Sequence, residues 1–311
     1  MTANRNVYED WIPEEWDSNV IQRVHQVSAV ERHGRHYPMA TDTRHVPRSA
    51  GVEVNGVAKG DAYTPDESLN DEVLLIARKF GRAIKIAEED LVDSNVNILD
   101  QKRVDWATSY GKFFDNATLG VTAASANGTT VPYVSVYSAL RQSNADTGYT
   151  ADDNYVATAS AGLVTYDELS EVLGLYEVGD YFDLEKTVVI AHPEFRRHLR
   201  NIKDLEGMPV FVRGQQGDRG TPDTLFNIPI TWSLGAKTSA TAQQNPTGAP
   251  LLIVGNREFL AVGDRSGPES MVAPANSGPN FLSDEALLKM RARRGFAVSH
   301  EKAFAVLELD V

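Results

Sequence analysis

The chain has 311 residues, no cysteine and a formal net charge of −13, with 43 acidic against 30 basic side chains. Its length suffices for one large or two modest domains, and a hydrophobic content of 42% is ordinary for a globular protein. The lack of cysteine excludes disulfides, thiolate nucleophiles and cysteine metal sites, and the acidity argues against a dedicated nucleic-acid reader.

The first thirty residues carry Trp11 and Trp16 among many carboxylates. This stretch is too short to enclose two indoles. It therefore predicts either a tail packed on its own domain or an arm that docks on a neighbouring subunit with the indoles as anchors. It has no basic segment followed by an apolar one, and no apolar run of about eighteen residues occurs anywhere in the chain, so we expect a soluble protein without a cleaved signal or a membrane partner.

The segment from Arg32 to Pro38 reads RHGRHYP and resembles the RHGxRxP signature of histidine acid phosphatases. In that class a histidine attacks phosphorus and arginines neutralise the transferring group. Here His36 replaces the second arginine, and only His300 with Glu301 offers a downstream proton donor. We expect a basic surface segment, with a phosphatase as a remote alternative, and we expect neither a metal site nor a cofactor.

Residues 41–70 contain three glycines and two prolines but scarcely any large aliphatic side chain besides valine. Val52 and Val54, then Asn55-Gly56 and Val57, predict a short hairpin. A segment this long cannot form a core of its own, so it is either disordered or a two-stranded arm held by something else.

The stretch from Ala77 to Gly120 predicts a long strand followed by a long helix. Alternation around Ile84 and Ile86 favours a strand, and residues 93–95 (DSN) supply side chains suited to a helix start. Gly120 suits a left-handed residue after the helix end. The predicted apolar stripe of the helix consists of Leu99, Trp106, Tyr110, Phe113 and Ala117.

A second compact region begins at Thr165, which forms a predicted capping box with Glu168. Strands are predicted at residues 186–191, 227–233, 251–254 and 259–262, the last two facing each other across Gly255-Asn256, with Pro193 at the first position of a helix. Two further strands, around Leu288 to Arg293 and Ala303 to Asp310, are expected to form an extended sheet with the Ala77–Ala87 strand against the long helix. The fold class is α+β.

Taken together, the chain resembles the major capsid proteins of tailed double-stranded DNA bacteriophages, whose HK-type fold is shared with encapsulins. Each phrase that carries the resemblance is degenerate, but their order and spacing are specific. The phrases are IKIAEEDLVDS at residues 84–94, FFDNATLG at 113–120, FRRHLRNIKDLEGMPVF at 195–211, LFNIPITWS at 225–233, LLIVGNREFLAVGDRSG at 251–267 and LLKMRARRGFAVSHEKAFAVLEL at 287–309.

This resemblance implies an architecture in five segments. They are an N-terminal arm at residues 1–40, an extended E-loop at 41–70, a first part of the peripheral P-domain with the spine helix at 71–133, an axial A-domain at 134–263, and the C-terminal strands of the P-domain at 264–311. Many relatives carry a long N-terminal scaffolding segment, whereas only a short arm precedes the loop here, which implies a separate scaffolding protein or none. Some relatives cross-link an E-loop lysine; Lys59 lies in the matching region, but no partner can be assigned.

The resemblance further implies a structural protein, not an enzyme, that forms hexamers and pentamers of an icosahedral shell. The shell would enclose packaged double-stranded DNA by non-specific proximity and would be assembled in the cytoplasm of a bacterial host. Scaffolding, portal and decoration proteins are the implied partners, and an encapsulin-like cellular compartment is the alternative. The candidate assembly residues are Trp11, Trp16, Arg48, Lys59, Arg291, Arg293 and Arg294.

Overall fold

The computed structural model describes residues 27–49, 51, 54–63, 71–94, 97–203, 207, 211–212, 223–275 and 283–310. The helices in these ranges are α1 (Ala29–His33), α2 (Glu88–Asp93), α3 (Ile98–Leu119), α4 (Val136–Leu140), α5 (Tyr166–Glu177) and α6 (Phe195–Leu199). The strands are β1 (Arg35–Pro38), β2 (Thr43–Arg48), β3 (Asp71–Ile76), β4 (Arg78–Ala87), β5 (Tyr155–Ala157), β6 (Thr187–Ala191), β7 (Phe211–Val212), β8 (Thr224–Leu225), β9 (Ile228–Trp232), β10 (Leu251–Asn256), β11 (Leu260–Ala273), β12 (Glu285–Val298) and β13 (Phe304–Glu308).

Within the described ranges these strands form three sheets. The long sheet has the order β1-β11-β12-β4, and the central sheet has the order β5-β13-β10-β6-β9-β8-β7. The ribbon is the antiparallel pair β2-β3, in register from Thr43 opposite Ile76 to Arg48 opposite Asp71. The mixture of parallel and antiparallel pairs with separate helices confirms the expected α+β class.

The central sheet is covered on both faces, and this divides the core in two. Leu251 and Ile253 of β10 pack in the cluster around α3, whereas Leu252 and Val254 pack in the cluster around α5. Because side chains alternate along a strand, a central strand with both faces covered reads as a continuous apolar run. The same holds for β13, whose Phe304 and Leu307 lie in different clusters.

Several sequence predictions are confirmed by these elements. The strand at Ala77–Ala87 is β4, and it pairs along its whole length with β12, in which Leu288, Met290 and Ala292 are buried. The Thr165–Glu168 capping box is present at the start of α5. The predicted strands at 186–191, 227–233 and 251–254 correspond to β6, β9 and β10.

Other expectations were wrong in register or pairing. The long helix begins at Ile98, because the Asn97 side chain accepts the Asp100 N–H, and residues 88–93 form a separate short helix. The 251–254 and 259–262 strands do not face each other, since β10 lies in the central sheet and β11 in the long sheet. Helix α6 starts at Phe195, two residues after Pro193. Strand β13 pairs with β10 and β5 and not with β4.

The long helix is more deeply buried than a one-faced amphipathic helix. From Tyr110 onward nearly every side chain is buried, including the polar Asp115 and Asn116, whereas Leu99 and Trp106 are only partly covered. Gly120 follows the helix but has φ of −121°, so it is not left-handed as expected. Its glycine identity is explained by close approach, since a Cβ there would lie 2.0 Å from the Lys237 carbonyl oxygen.

Asp115 joins three separate chain segments at one carboxylate. Its Oδ1 accepts from Ser28 Oγ at 2.5 Å and from Val30 N at 3.2 Å, and its Oδ2 accepts from Ala29 N at 2.9 Å and from Ser233 Oγ at 2.6 Å. Burial raises the pKa of this carboxyl, and the hydrogen bonds from Ser233 and Ser28 oppose the rise.

Asn116, the next residue of α3, joins the loop after Ser233 to the helix in the same way. Its Nδ2 donates to the carbonyls of Gly235 and Lys237 at 3.1 and 2.8 Å, and its Oδ1 accepts from Ser239 Oγ at 2.8 Å and Gln243 N at 2.9 Å. A buried amide with all four of these contacts satisfied fixes the backbone that it touches.

We expect Asp115→Asn to destabilise the subunit by about 1–3 kcal/mol, because an NH2 group then faces at least one buried donor. The midpoint of urea unfolding measures this change. Asp146→Asn is the matched control at an exposed position, and it should shift the unfolding free energy by less than about 0.5 kcal/mol. Similar effects of the two substitutions would contradict the role given to Asp115.

Candidate assembly surfaces

The connection between β2 and β3 carries three exposed apolar side chains, among them the most exposed large apolar residue of the described chain. Val54 is 95% exposed, Tyr63 85% and Val57 41%. The described residues 54–63 contain no strand, so Val54 and Val57 of the hairpin expected at Val52–Val57 do not lie in strands, and Val52 lies outside the described residues. Three exposed apolar side chains within ten residues of one loop make this connection a candidate interaction surface.

Arg48 holds the base of this loop on the subunit. Its Nε donates to Asp71 Oδ1 at 2.7 Å, its Nη2 donates to Asp71 Oδ2, and its Nη1 donates to the Ser299 carbonyl at 2.7 Å. The hydrogen bond to Asp71 raises the pKa of Arg48, and the same bond lowers the pKa of Asp71. The planar guanidinium therefore joins both ribbon strands to the turn before β13.

Asp42 anchors the ribbon at its other end. Arg293 Nη2 donates to Asp42 Oδ1 at 2.5 Å, and the Asp42 carbonyl accepts from Ala77 N at 2.8 Å. Arg265 lies 3.8 Å from the same carboxylate and also donates to the carbonyls of Met39 and Ala40. Beneath these contacts Leu75 of β3 is fully buried against Met39 and Ala261.

Arg294 lies in a third ion-pair group, between the N-terminal segment and the long sheet. Its Nε is 2.8 Å from Glu31 Oε1 and its Nη1 is 2.8 Å from Asp264 Oδ1. The Tyr110 hydroxyl donates to the same Glu31 oxygen at 3.0 Å, which connects this group to α3. Neighbouring Arg291 pairs with Glu269 at 3.0 Å.

The structure therefore gives the predicted assembly cations different surroundings. Arg48, Arg291, Arg293 and Arg294 are each paired with a carboxylate of their own subunit. Lys59 is exposed on the loop and forms no ion pair with the described residues. Trp11 and Trp16 lie outside the described residues. Contacts of all seven with a neighbouring copy remain predictions.

The acidic partners Glu31, Asp42 and Asp264 were missed by sequence reasoning. Each is a single carboxylate far in sequence from its arginine, and no local spacing marks such a pair. One local signal did exist, since Ser28 precedes AVERH and is the N-cap of α1, with its Oγ accepting from Glu31 N at 3.1 Å.

The histidines of RHGRHYP have structural partners. His33 Nε2 lies 2.7 Å from Thr231 Oγ1, and burial lowers the pKa of His33. His36 lies between Asp264 Oδ2 and the Glu31 carbonyl, at 2.7 Å from each. The expected proton donor His300 instead stacks on Tyr181, with ring centroids 4.0 Å apart. These contacts hold elements of the subunit together.

Two further findings concern metal ions and membranes. No group of three or more histidine and acidic side chains among the described residues is placed to bind a metal ion. Among the helices that the structure describes, none is both long and apolar enough to cross a membrane.

Comparison with known proteins agrees with the fold described above. The model of the phage capsid family matches residues 9–309. Similar solved structures include a chain of Mycobacterium phage Bobi, with 15% identity, 99% coverage of both chains and a TM-score of 0.72. A chain from the capsid of the native GTA particle has 15% identity, covers 100% of this chain and 98% of its own, and has a TM-score of 0.70. One from Microbacterium phage Oxtober96 has 17% identity, 98% coverage of both chains and a TM-score of 0.66. A search of curated protein sequences gave no match.

We expect Arg48→Ala to loosen the ribbon, because the substitution removes three charge-assisted hydrogen bonds at its base. Amide exchange of β2 and β3 should accelerate by about tenfold or more, corresponding to roughly 1–3 kcal/mol of local opening free energy. Arg44→Ala is the matched control in the same strand, since among the described residues Arg44 donates to a single group, the Pro38 carbonyl, and lies over the Tyr37 ring. Equal acceleration in both variants would argue against the anchor.

A second prediction concerns acid stability. Burial lowers the pKa of His300 to about 4 and that of His192 to about 4, so both histidines are neutral in the folded subunit at neutral pH. Because an unfolded histidine titrates near 6.5, the stability that these groups contribute above that pH is lost as the pH falls from about 6.5 to 4.

His300→Asn retains an acceptor near the Lys302 N–H but cannot titrate. We expect a shallower loss of unfolding free energy between pH 6.5 and 4 in this variant, measured by urea titrations at each pH. His192→Asn should act similarly, and the two effects should add, since the groups have separate surroundings. An unchanged pH slope in both variants would contradict the assignment.

Proposed function

Because this chain belongs to the phage capsid family, it is a structural capsid protein and not an enzyme, and we propose that its copies assemble as hexamers and pentamers into an icosahedral shell. The remote phosphatase alternative is thereby set aside. The shell would enclose double-stranded DNA and would form in the cytoplasm of a bacterial host.

The exposed loop between β2 and β3 is the observation that carries the proposal. Val54, Val57 and Tyr63 are uncovered in the subunit, while ion pairs fix both ends of the ribbon beneath them. Exposed apolar side chains on a loop whose base is held by ion pairs are unfavourable in water, unless another surface covers them. In a shell, the natural cover is a second copy of the same chain.

The charges of the subunit fit this role. Four of the five arginine and lysine candidates are neutralised internally, and the chain carries a net charge of −13. Contact with packaged DNA would then be weak and non-specific, because a net negative surface repels phosphates. We also propose scaffolding and portal proteins as partners, with decoration proteins as an additional class.

Lys59 is the proposed polar contact of the loop. It stands between Val57 and Tyr63 in sequence and has no ion pair among the described residues, so a carboxylate of a neighbouring copy is its expected partner. A rim ion pair of this kind contributes about 0–1 kcal/mol, so it would set orientation more than affinity.

Electron microscopy of the purified protein tests the function directly. At high protein concentration, alone or with its scaffolding protein, we expect capsomers or closed shells. A persistent monomer under all these conditions would contradict the proposal. Shells that enclose a protein cargo and no DNA would indicate a cellular compartment instead.

The double substitution Val54→Ser/Tyr63→Ser should block assembly without unfolding the subunit, because both side chains are almost fully exposed. Light scattering should show loss of large particles, and the urea midpoint should stay within about 0.5 kcal/mol of the original. Val178→Ser, at an 89% exposed position in the turn after α5, is the matched control and should assemble normally. Normal assembly of the loop variant would remove the loop from the interface.

A further inference from the structure

A groove with an aromatic floor lies between β4 and the first half of α3. It encloses about 680 Å³. Phe80 and Phe113 meet edge to face with centroids 5.5 Å apart, and Trp106 stacks on Tyr110 at 5.4 Å. These ring contacts fix the floor in the subunit, so the groove is preformed for an apolar or aromatic guest.

The rim of this groove is basic. Lys79, Arg82 and Lys102 line it, and none of the three forms an ion pair with the described residues. Asp105 is the single acidic side chain among the lining residues, and it already has a partner. The chain has a net charge of −13, so three cations without an ion pair around one aromatic groove are unusual. They favour binding of an acidic peptide segment that carries aromatic side chains.

The chain itself contains such a guest. Residues 9–17 read EDWIPEEWD, which places Trp11 and Trp16 among five carboxylates. This segment lies outside the described residues. Its charge is opposite to that of the rim, and its indoles match the aromatic floor in kind.

The described chain begins close enough for this segment to reach. Ser28 and Ala29 are held by Asp115 of α3, and Glu31 contacts Tyr110, which lines the groove. Asp115 and Trp106 are nine residues apart, about 14 Å along the helix axis at 1.5 Å per residue. The ten residue steps from Asp17 to Val27 span up to about 35 Å, which also covers the path around a helix about 10 Å wide.

We propose that residues 9–17 dock in this groove of their own subunit, with the indoles on the aromatic floor and the carboxylates against Lys79, Arg82 and Lys102. The short tether favours the subunit's own segment, because it holds the segment at an effective concentration of about millimolar, above that of any second copy in dilute solution. Of the two interpretations of the N-terminal segment, this selects packing on its own domain. The docking does not depend on shell assembly, so it can be tested in the free subunit.

The lack of native cysteine permits a direct cross-linking test. Asp17→Cys combined with Gln244→Cys, a lining residue, should form a disulfide within one chain when dilute full-length protein is oxidised with oxidised glutathione. Mass spectrometry and non-reducing electrophoresis would distinguish this product from a linked dimer. The matched control pairs Asp17→Cys with Val178→Cys, which is exposed and outside the groove.

An internal disulfide that forms faster than in the control pair supports the proposal. Equal rates in both pairs would overturn it, because they would show no preference for the groove. Disulfides that join two copies would also overturn it and would favour a neighbouring subunit as the docking site.

Charge reversal tests the recognition chemistry in the same cross-linkable chain. Arg82→Glu/Lys102→Glu should slow the internal disulfide by at least about fivefold, and adding Glu14→Lys/Glu15→Lys should restore the rate to within about twofold. If the reversed rim impairs folding, as the urea midpoint would show, Arg82→Gln/Lys102→Gln gives the same comparison. An unchanged rate in a folded variant, or no recovery in the swapped one, would overturn the proposal.

Discussion

The buried carboxylate of Asp115 is the constraint around which the subunit is arranged. A charged group without water needs several donors, and the donors here come from the start of α1 and from Ser233 after β9. Asn116 adds the loop after Ser233 through both ends of its amide. Two adjacent side chains on one helix thus fix the N-terminal segment, the end of β9 and the loop leading to β10.

How much of this could be predicted depends on whether the signal is local. Alternation predicted β4 and β12, and the Thr165–Glu168 spacing predicted the start of α5, because neighbours in sequence create those patterns. The polar identity of Asp115 gave no such signal, since a helical aspartate is usually exposed. Likewise, the apolar residues identified β10 and β13 as strands, but they did not show to which sheet each strand belongs. Long-range pairing between strands decides that. The same limit concealed the carboxylate partners of the basic residues.

The ion pairs at the ribbon explain how a long loop is carried without a core of its own. Arg48 forms an ion pair with Asp71 and Arg293 forms one with Asp42, which fixes the two ends of the β2-β3 ribbon. Leu75 adds an apolar contact with the core. The described residues between Arg48 and Asp71, which are 49, 51 and 54–63, are all exposed. The arginines predicted for intersubunit contacts are therefore paired within the subunit, and the exposed apolar side chains of the loop remain as the proposed contact with a neighbouring copy.

The two halves of α3 differ because their surroundings differ. From Tyr110 to Leu119 the helix is enclosed by the central sheet, α4 and the loop after Ser233, so even its polar residues must find partners inside. Before Tyr110 most of its side chains are at most partly covered, and the gap beside β4 remains as a groove with aromatic walls and with cations that form no ion pair among the described residues. An edge strand beside a half-covered helix leaves apolar surface in contact with water. Covering it with the acidic, tryptophan-bearing start of the chain would extend the enclosure of the second half of α3 to the first.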